Sequence, residues 1–211
     1  MRSTALPYRR TGLALLALAA VLSFWLVLAT PKAEAATVRL DGVRTTLVTD
    51  PTTTTVLFGA GIIPLPVAPT PIVPTPNAAR YTFPITGGYV DAKTLVGKIY
   101  HSGGLLLAQR VAADNSWKSL KLTKFTINVR SANSFLSAVV NDGARLPIAE
   151  LDLSNAKINR FMSHGRAFVR ISNVGVTLNA TATGAINSTF GVALPAEVPL
   201  GTASVLARVA H

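Results

Sequence analysis

The 211-residue chain has no cysteine, which excludes disulfide bridges, a thiolate nucleophile and any cysteine-ligated metal. A domain built this way must be held by packing and hydrogen bonds, so the small stapled scaffolds are excluded too. Acidic residues are scarce, 9 against 20 basic ones, for a formal charge of +11. Such a surface favours anionic polymers, lipid head groups or acidic ligands, and says nothing about fold. Histidine occurs only at 101, 164 and 211, with no pair at metal-ligand spacing. The G-x-S-x-G, H-E-x-x-H, Walker, G-x-G-x-x-G and EF-hand patterns are all missing, so no catalytic residue and no metal site is expected, and the chain reads as a non-enzyme. Aromatics make up 7% of the chain, and the bases Lys118, Lys121, Lys124, Arg130, Lys157, Arg160, Arg166 and Arg170 have only modest aromatic content beside them. Nucleic-acid binding would want a basic stripe alternating with stacking rings, so those bases read as a solvated face and no nucleic-acid partner is expected.

Long apolar runs are absent except at the N-terminus. Arg2, Arg9 and Arg10 precede an uncharged 19-residue run, Gly12 to Thr30, followed by Ala33-Glu34-Ala35-Ala36. A basic head, an apolar stretch and a small-residue cleavage site make a secretory signal peptide over 1–35. The run is long enough to span a bilayer, so an uncleaved anchor is the competing reading. Either way the expected location is extracellular or in the cell envelope. Residues 36–211 form one domain, since the remaining length suits a single core.

From Ala36 onward the pattern is of strands with punctuation. Val38 to Asp41 and Val43 to Val48 are short and Thr-rich, and Asp50 is placed to cap a short helix through Phe58. Residues 61–76 hold six prolines, at 64, 66, 69, 71, 74 and 76, which rule out a helix or a central strand. An extended segment is predicted there, and its Ile62, Leu65, Val67 and Ile72 suggest packing on the domain against the alternative of a wall-spanning spacer. Arg80 to Ile85 alternates as a strand that Thr86-Gly87-Gly88 would end. Thr94 to Gln109 is one long strand or two, broken at Ser102-Gly103-Gly104.

In Trp117 to Arg130 the apolar phase slips from even (Leu120, Leu122) to odd (Phe125, Ile127, Val129), which predicts a bulge near Thr123-Lys124. Asn141-Asp142-Gly143 marks a hairpin between Phe135–Val140 and Arg145–Leu153. Arg166 to Leu178 slips again around Ser172-Asn173, Thr181 to Phe190 is the best helix candidate, and Leu200 to Val209 closes the domain. The fold class is all-β: a single sandwich-like domain of about eight or more mostly antiparallel strands with one short helix.

His101 is the titratable residue of most interest, because paired glycines inside a strand pattern mark a bulge or a close approach of another backbone or a ligand. The candidate ligand-binding set is His101, Tyr81, Tyr100, Gly103 and Gly104. The competing reading of His101 is a strand histidine hydrogen-bonded to its sheet.

Tyr81 to Asp91 (YTFPITGGYVD) followed by Gly97 to Leu105 (GKIYHSGGL) resembles the HtaA-type domain of bacterial surface haem-uptake proteins, with Ile171 to Val174 and Gly201 to Ala203 a looser match to its closing strands. The resemblance implies a secreted β-domain and, in haem-binding members, a tyrosine axial ligand supported by a histidine. His101 falls at the family's histidine-bearing turn. The family's tyrosine, early in the domain in an aromatic-rich segment, has no counterpart in the Thr- and Pro-rich region here, and Tyr81, Tyr89 and Tyr100 are the tyrosines beyond the N-terminal segment. Haem or another apolar anion is the expected cofactor or partner on this resemblance. The alternative is a structural or adhesive envelope module that contacts anionic wall polymer or a membrane surface through its basic face.

Overall fold

The computed structural model describes residues 36–75 and 77–210. The expected signal peptide, 1–35, lies outside the described residues. The elements run β1 (Thr37–Thr49), α1 (Pro51–Gly59), β2 (Ile62–Val67), β3 (Ile72–Pro74), β4 (Ala79–Asp91), β5 (Gly97–His101), β6 (Gly104–Arg110), β7 (Trp117–Val129), β8 (Phe135–Val140), β9 (Arg145–Asp152), β10 (Lys157–Ser163), β11 (Arg166–Leu178), α2 (Ala180–Phe190) and β12 (Val198–Val209).

Eight of the strands close into an antiparallel barrel. β1 lies between β4 and β12, β4 continues to β5 and β5 to β7, while β12 continues through β11 and β9 to β8. The ladder between β7 and β8 joins the two ends of this order. That ladder corrects the sandwich expectation: there are not two stacked sheets, but one sheet curled until its edges meet. The curl has a local cause. β1, β4, β7 and β11 are each 13 residues long, and each carries a register break, at Leu40/Gly42, Ile85/Gly87, Thr123/Thr126 and Ile171/Val174. A bulge bends its strand and raises the local twist, and an eight-stranded barrel needs such bends to close.

The bulges reconcile the phase slips read in the sequence. Lys124 takes φ +50° and Asn173 φ +60°, and the residues on either side, Leu120 and Phe125 in β7 and Ile171 and Val174 in β11, all face the core. Two expectations are corrected by the same device. Gly42 absorbs a bulge, so that β1 is one strand where two were expected, and Gly87-Gly88 carries β4 onward to Asp91 where an end was expected.

The break at Ser102-Gly103 separates β5 from β6, which lie end to end along one side of β7. The Pro-rich segment packs on the domain: β2 pairs with β6 at the end of the strand order, β3 pairs with β4, and Ile62 is fully buried. β10, for which the sequence showed no pattern, pairs with β11.

The described residues hold two helices, where one short helix was expected. Asp50 accepts the Thr53 N–H at 3.0 Å and Pro51 opens α1, where a missing N–H costs nothing. Asn179 caps α2 on the Ala182 N–H, and Gly191 ends it in the left-handed conformation. α2 buries Ala182, Thr183, Ile186 and Phe190 and packs on β7 and β9. Among the described residues the core is aliphatic with four aromatic rings, Tyr81, Phe83, Phe125 and Phe190, of which Phe83 and Phe125 meet edge to face at 5.0 Å.

Candidate functional site

His101 is the last residue of β5, and strand alternation turns it inward while its neighbour Tyr100 turns outward. The β7 bulge prepares its partner. Phe125 falls in neither the ladder with β5 nor the one with β8, so its carbonyl is spare. His101 Nδ1 lies 3.2 Å from that oxygen, and since a carbonyl only accepts, Nδ1 carries the proton. Nε2 then accepts from the Thr45 hydroxyl at 2.7 Å. Burial holds the ring neutral, pushing its pKa down to about 4, with the Phe125 hydrogen bond opposing the shift.

Tyr81, from β4, is also buried, and its hydroxyl donates to the Pro64 carbonyl at 2.8 Å. Burial pushes this phenol up to about 12. Tyr81 and His101 line the same apolar cavity of about 100 Å³ inside the barrel, together with Leu47, Phe83, Leu105 and Phe125. α1 contributes Thr53, Leu57 and Phe58 to the lining, and Phe58 is half exposed. No Lys or Arg lines this cavity among the described residues.

The other three candidates lie elsewhere. Tyr100 is on the outer face, opposite Thr126. Gly103, at φ +78°, is packed so closely on the β2–β3 connection that a Cβ would run into the Thr70 side chain and the Val67 carbonyl. Gly104 donates its N–H to Thr70 Oγ1 at 3.0 Å and lies against β7. The two glycines therefore accommodate the protein's own backbone. Of the five, the fold brings His101 and Tyr81 together at one cavity.

Sequence reasoning missed Thr45, which no motif marks because its partner is 56 residues away. The bases are spread over several elements: Lys118, Lys121 and Lys124 sit on β7, Lys157 and Arg160 on β10, Arg166 and Arg170 on β11, and Arg130 follows the far end of β7.

Two solved structures from Corynebacterium glutamicum have a similar fold. The C-terminal domain of HtaA aligns with a TM-score of 0.54 at 15% identity, covering 82% of this chain and 99% of that one. The heme binding protein HtaB aligns with a TM-score of 0.50 at 12% identity, covering 83% of this chain and 96% of that one. No family model and no curated protein matches the chain. The fold is thus HtaA-like, a closed β-barrel with appended strands.

Proposed function

We propose that the chain is a non-enzymatic binding module, exported to the cell envelope, that receives a flat apolar anion of the haem class at the α1 end of its barrel. The observation that carries this reading is the apolar cavity roofed by α1, with neutral His101 and Tyr81 on its wall. HtaB, a heme binding protein of similar fold, supports it, and the basic head, apolar run and Ala33-Glu34-Ala35 site support export.

The residues fit the apolar body of such a ligand and not its iron. Both nitrogens of His101 are hydrogen-bonded, and Tyr81 holds its proton against Pro64. At about 100 Å³ the cavity is below the ~300 Å³ at which small-molecule pockets begin, so a ligand of this size would have to displace α1, whose half-exposed Phe58 lines the cavity. This arrangement makes binding indifferent to the metal. Hemin and iron-free protoporphyrin, titrated into the protein and followed by absorbance, are expected to bind one to one with affinities within about threefold, both weakened by Phe58→Ser. Free-ligand spectra throughout would refute the reading. A tyrosinate-type hemin spectrum abolished by Tyr81→Phe, Tyr89→Phe or Tyr100→Phe would refute the metal indifference.

A second reading, an adhesive module for anionic wall polymer, has the uncompensated bases in its favour. Among the described residues, Lys121 with Asp142 and Arg208 with Asp41 are the ion pairs. It predicts association that falls steeply with added salt.

A further inference from the structure

We propose that the outer wall of the barrel carries a separate binding groove, across β5, β7, β8 and β9, that takes a carboxylate-bearing saccharide. The groove is open, of about 520 Å³, within the range of small-molecule sites. It is independent of the cavity beneath α1, with which it shares no lining residue.

Its floor is a row of cross-strand partners: Tyr89 faces Lys98, Lys98 faces Asn128 and Asn128 faces Phe135. Asn128 and Thr126 occupy the outward phase of β7, opposite to Phe125, Ile127 and Val129. Outward polar residues are ordinarily solvated, yet Thr126, Asn128 and Ser137 are 5%, 8% and 5% exposed.

The cover is Arg145. Its Nη1 donates to the Lys124 carbonyl at 2.8 Å, to Thr126 Oγ1 at 2.9 Å and to Ser137 Oγ at 3.5 Å. One edge of the guanidinium is thereby fixed, while Nε and Nη2 make no hydrogen bond within the described residues. Arg130 lies over the Phe135 ring at 4.5 Å and is paired with no acid there either. The acid on the groove, Asp91, is turned to its own loop, where Oδ1 accepts from the Lys93 N–H, the Thr94 N–H and the Thr94 hydroxyl.

Arg145, Arg130 and Lys98 are in no ion pair among the described residues, although Asp91 lines the groove and Glu150 stands opposite Phe135. Two oriented guanidinium groups suit a planar anion, for which arginine forks match a carboxylate in geometry. The remaining lining suits a polyhydroxylated ring. Asn128 Nδ2 is spent on Thr126 O, Phe135 O and Ser137 Oγ, which leaves Oδ1 to accept from a hydroxyl. The half-exposed ring of Tyr89 offers an apolar platform with a polar tip.

Calorimetric titration of the full chain with tetragalacturonate at about 0.15 M salt tests this, a salt level at which surface charge is screened beyond roughly 8 Å. One-to-one binding is expected, at least tenfold weaker for neutral galactotetraose and for Arg145→Gln, severalfold weaker for Lys98→Gln, and unchanged for Lys118→Gln, which lies outside the groove. Should Arg145→Gln fail to fold, the exposed Arg130→Gln and Lys98→Gln carry the comparison. Any of four results would overturn the proposal: no binding, equal binding of the neutral sugar, equal loss in Lys118→Gln, or displacement by inorganic phosphate at matching concentration.

Discussion

The Thr45 hydroxyl donates to Nε2 of His101 at 2.7 Å, while Phe125 O accepts from the Nδ1–H of the same ring at 3.2 Å. β1, β5 and β7 are thereby tied together through one imidazole inside an apolar barrel. Such a ring is held in one tautomer and one charge state, and acid is the condition that challenges it.

Stability should fall with acid in a defined window. His101 titrates at about 4 when folded against 6.5 ordinarily. Between those values the unfolded chain takes up a proton that the folded chain refuses, so stability is complete above pH 6.5 and declines as the pH falls to 4, by about 3 kcal/mol in total. Asp91, Asp114 and Asp152, held below the usual carboxylate range by hydrogen bonds from neighbouring residues, add acid sensitivity only below that window. Urea midpoints measured from pH 7.5 to 4 should slope in the native protein and flatten in His101→Leu. Equal slopes would show that His101 is not the group responsible.

Thr45→Val keeps the side-chain volume and removes the donor. Nε2 is then buried without a partner, at a cost of about 1–3 kcal/mol. Equilibrium unfolding at pH 7.5 reads this directly, and a loss below about 0.5 kcal/mol would mean that the bond contributes little.

Much of this arrangement was legible in the sequence. The slip from Leu122 to Phe125 announced the bulge that frees the Phe125 carbonyl, and the Ser-Gly-Gly break placed His101 at a strand end. Asp50 and Asn141-Asp142-Gly143 named a cap and a hairpin from local chemistry alone. Ring closure was not legible, because alternation tells which face of a strand is buried and not whether the last strand meets the first. Gly87-Gly88 looked like a terminator because glycine serves both ends and bulges. β10 was invisible because neither of its faces is buried. Asn128 and Arg145 were missed because a polar residue in the outward phase is what any half-buried strand shows.

Tyr81→Phe should cost about 0.5–1.5 kcal/mol, the value of one intramolecular hydrogen bond, since the ring keeps its packing and only the bond to Pro64 O is lost. Thermal melting checks the size. The Pro64 side of β2 should loosen first, which hydrogen exchange of the β6 amides paired to β2 would report.

Gly103→Ala should destabilise by more than about 1 kcal/mol, because a side chain there is strained at φ +78° and meets Thr70 and Val67 at once. Gly184→Ala is the control. It sits in α2 with open space around it and should stabilise by up to about 1 kcal/mol. A neutral Gly103→Ala would show that the β2–β3 connection yields easily.

A closed ring has no edge strand, so among the described residues the strands paired on one side only are the appended β2, β3 and β10. β2 ends the strand order, and two of its six residues, Pro64 and Pro66, have no N–H to offer a neighbour. β10 carries Lys157 and Arg160 along its length. The stretch whose composition resembled a spacer thus also acts as a guard: a second barrel arriving at the β2 edge would find donors missing from the ladder.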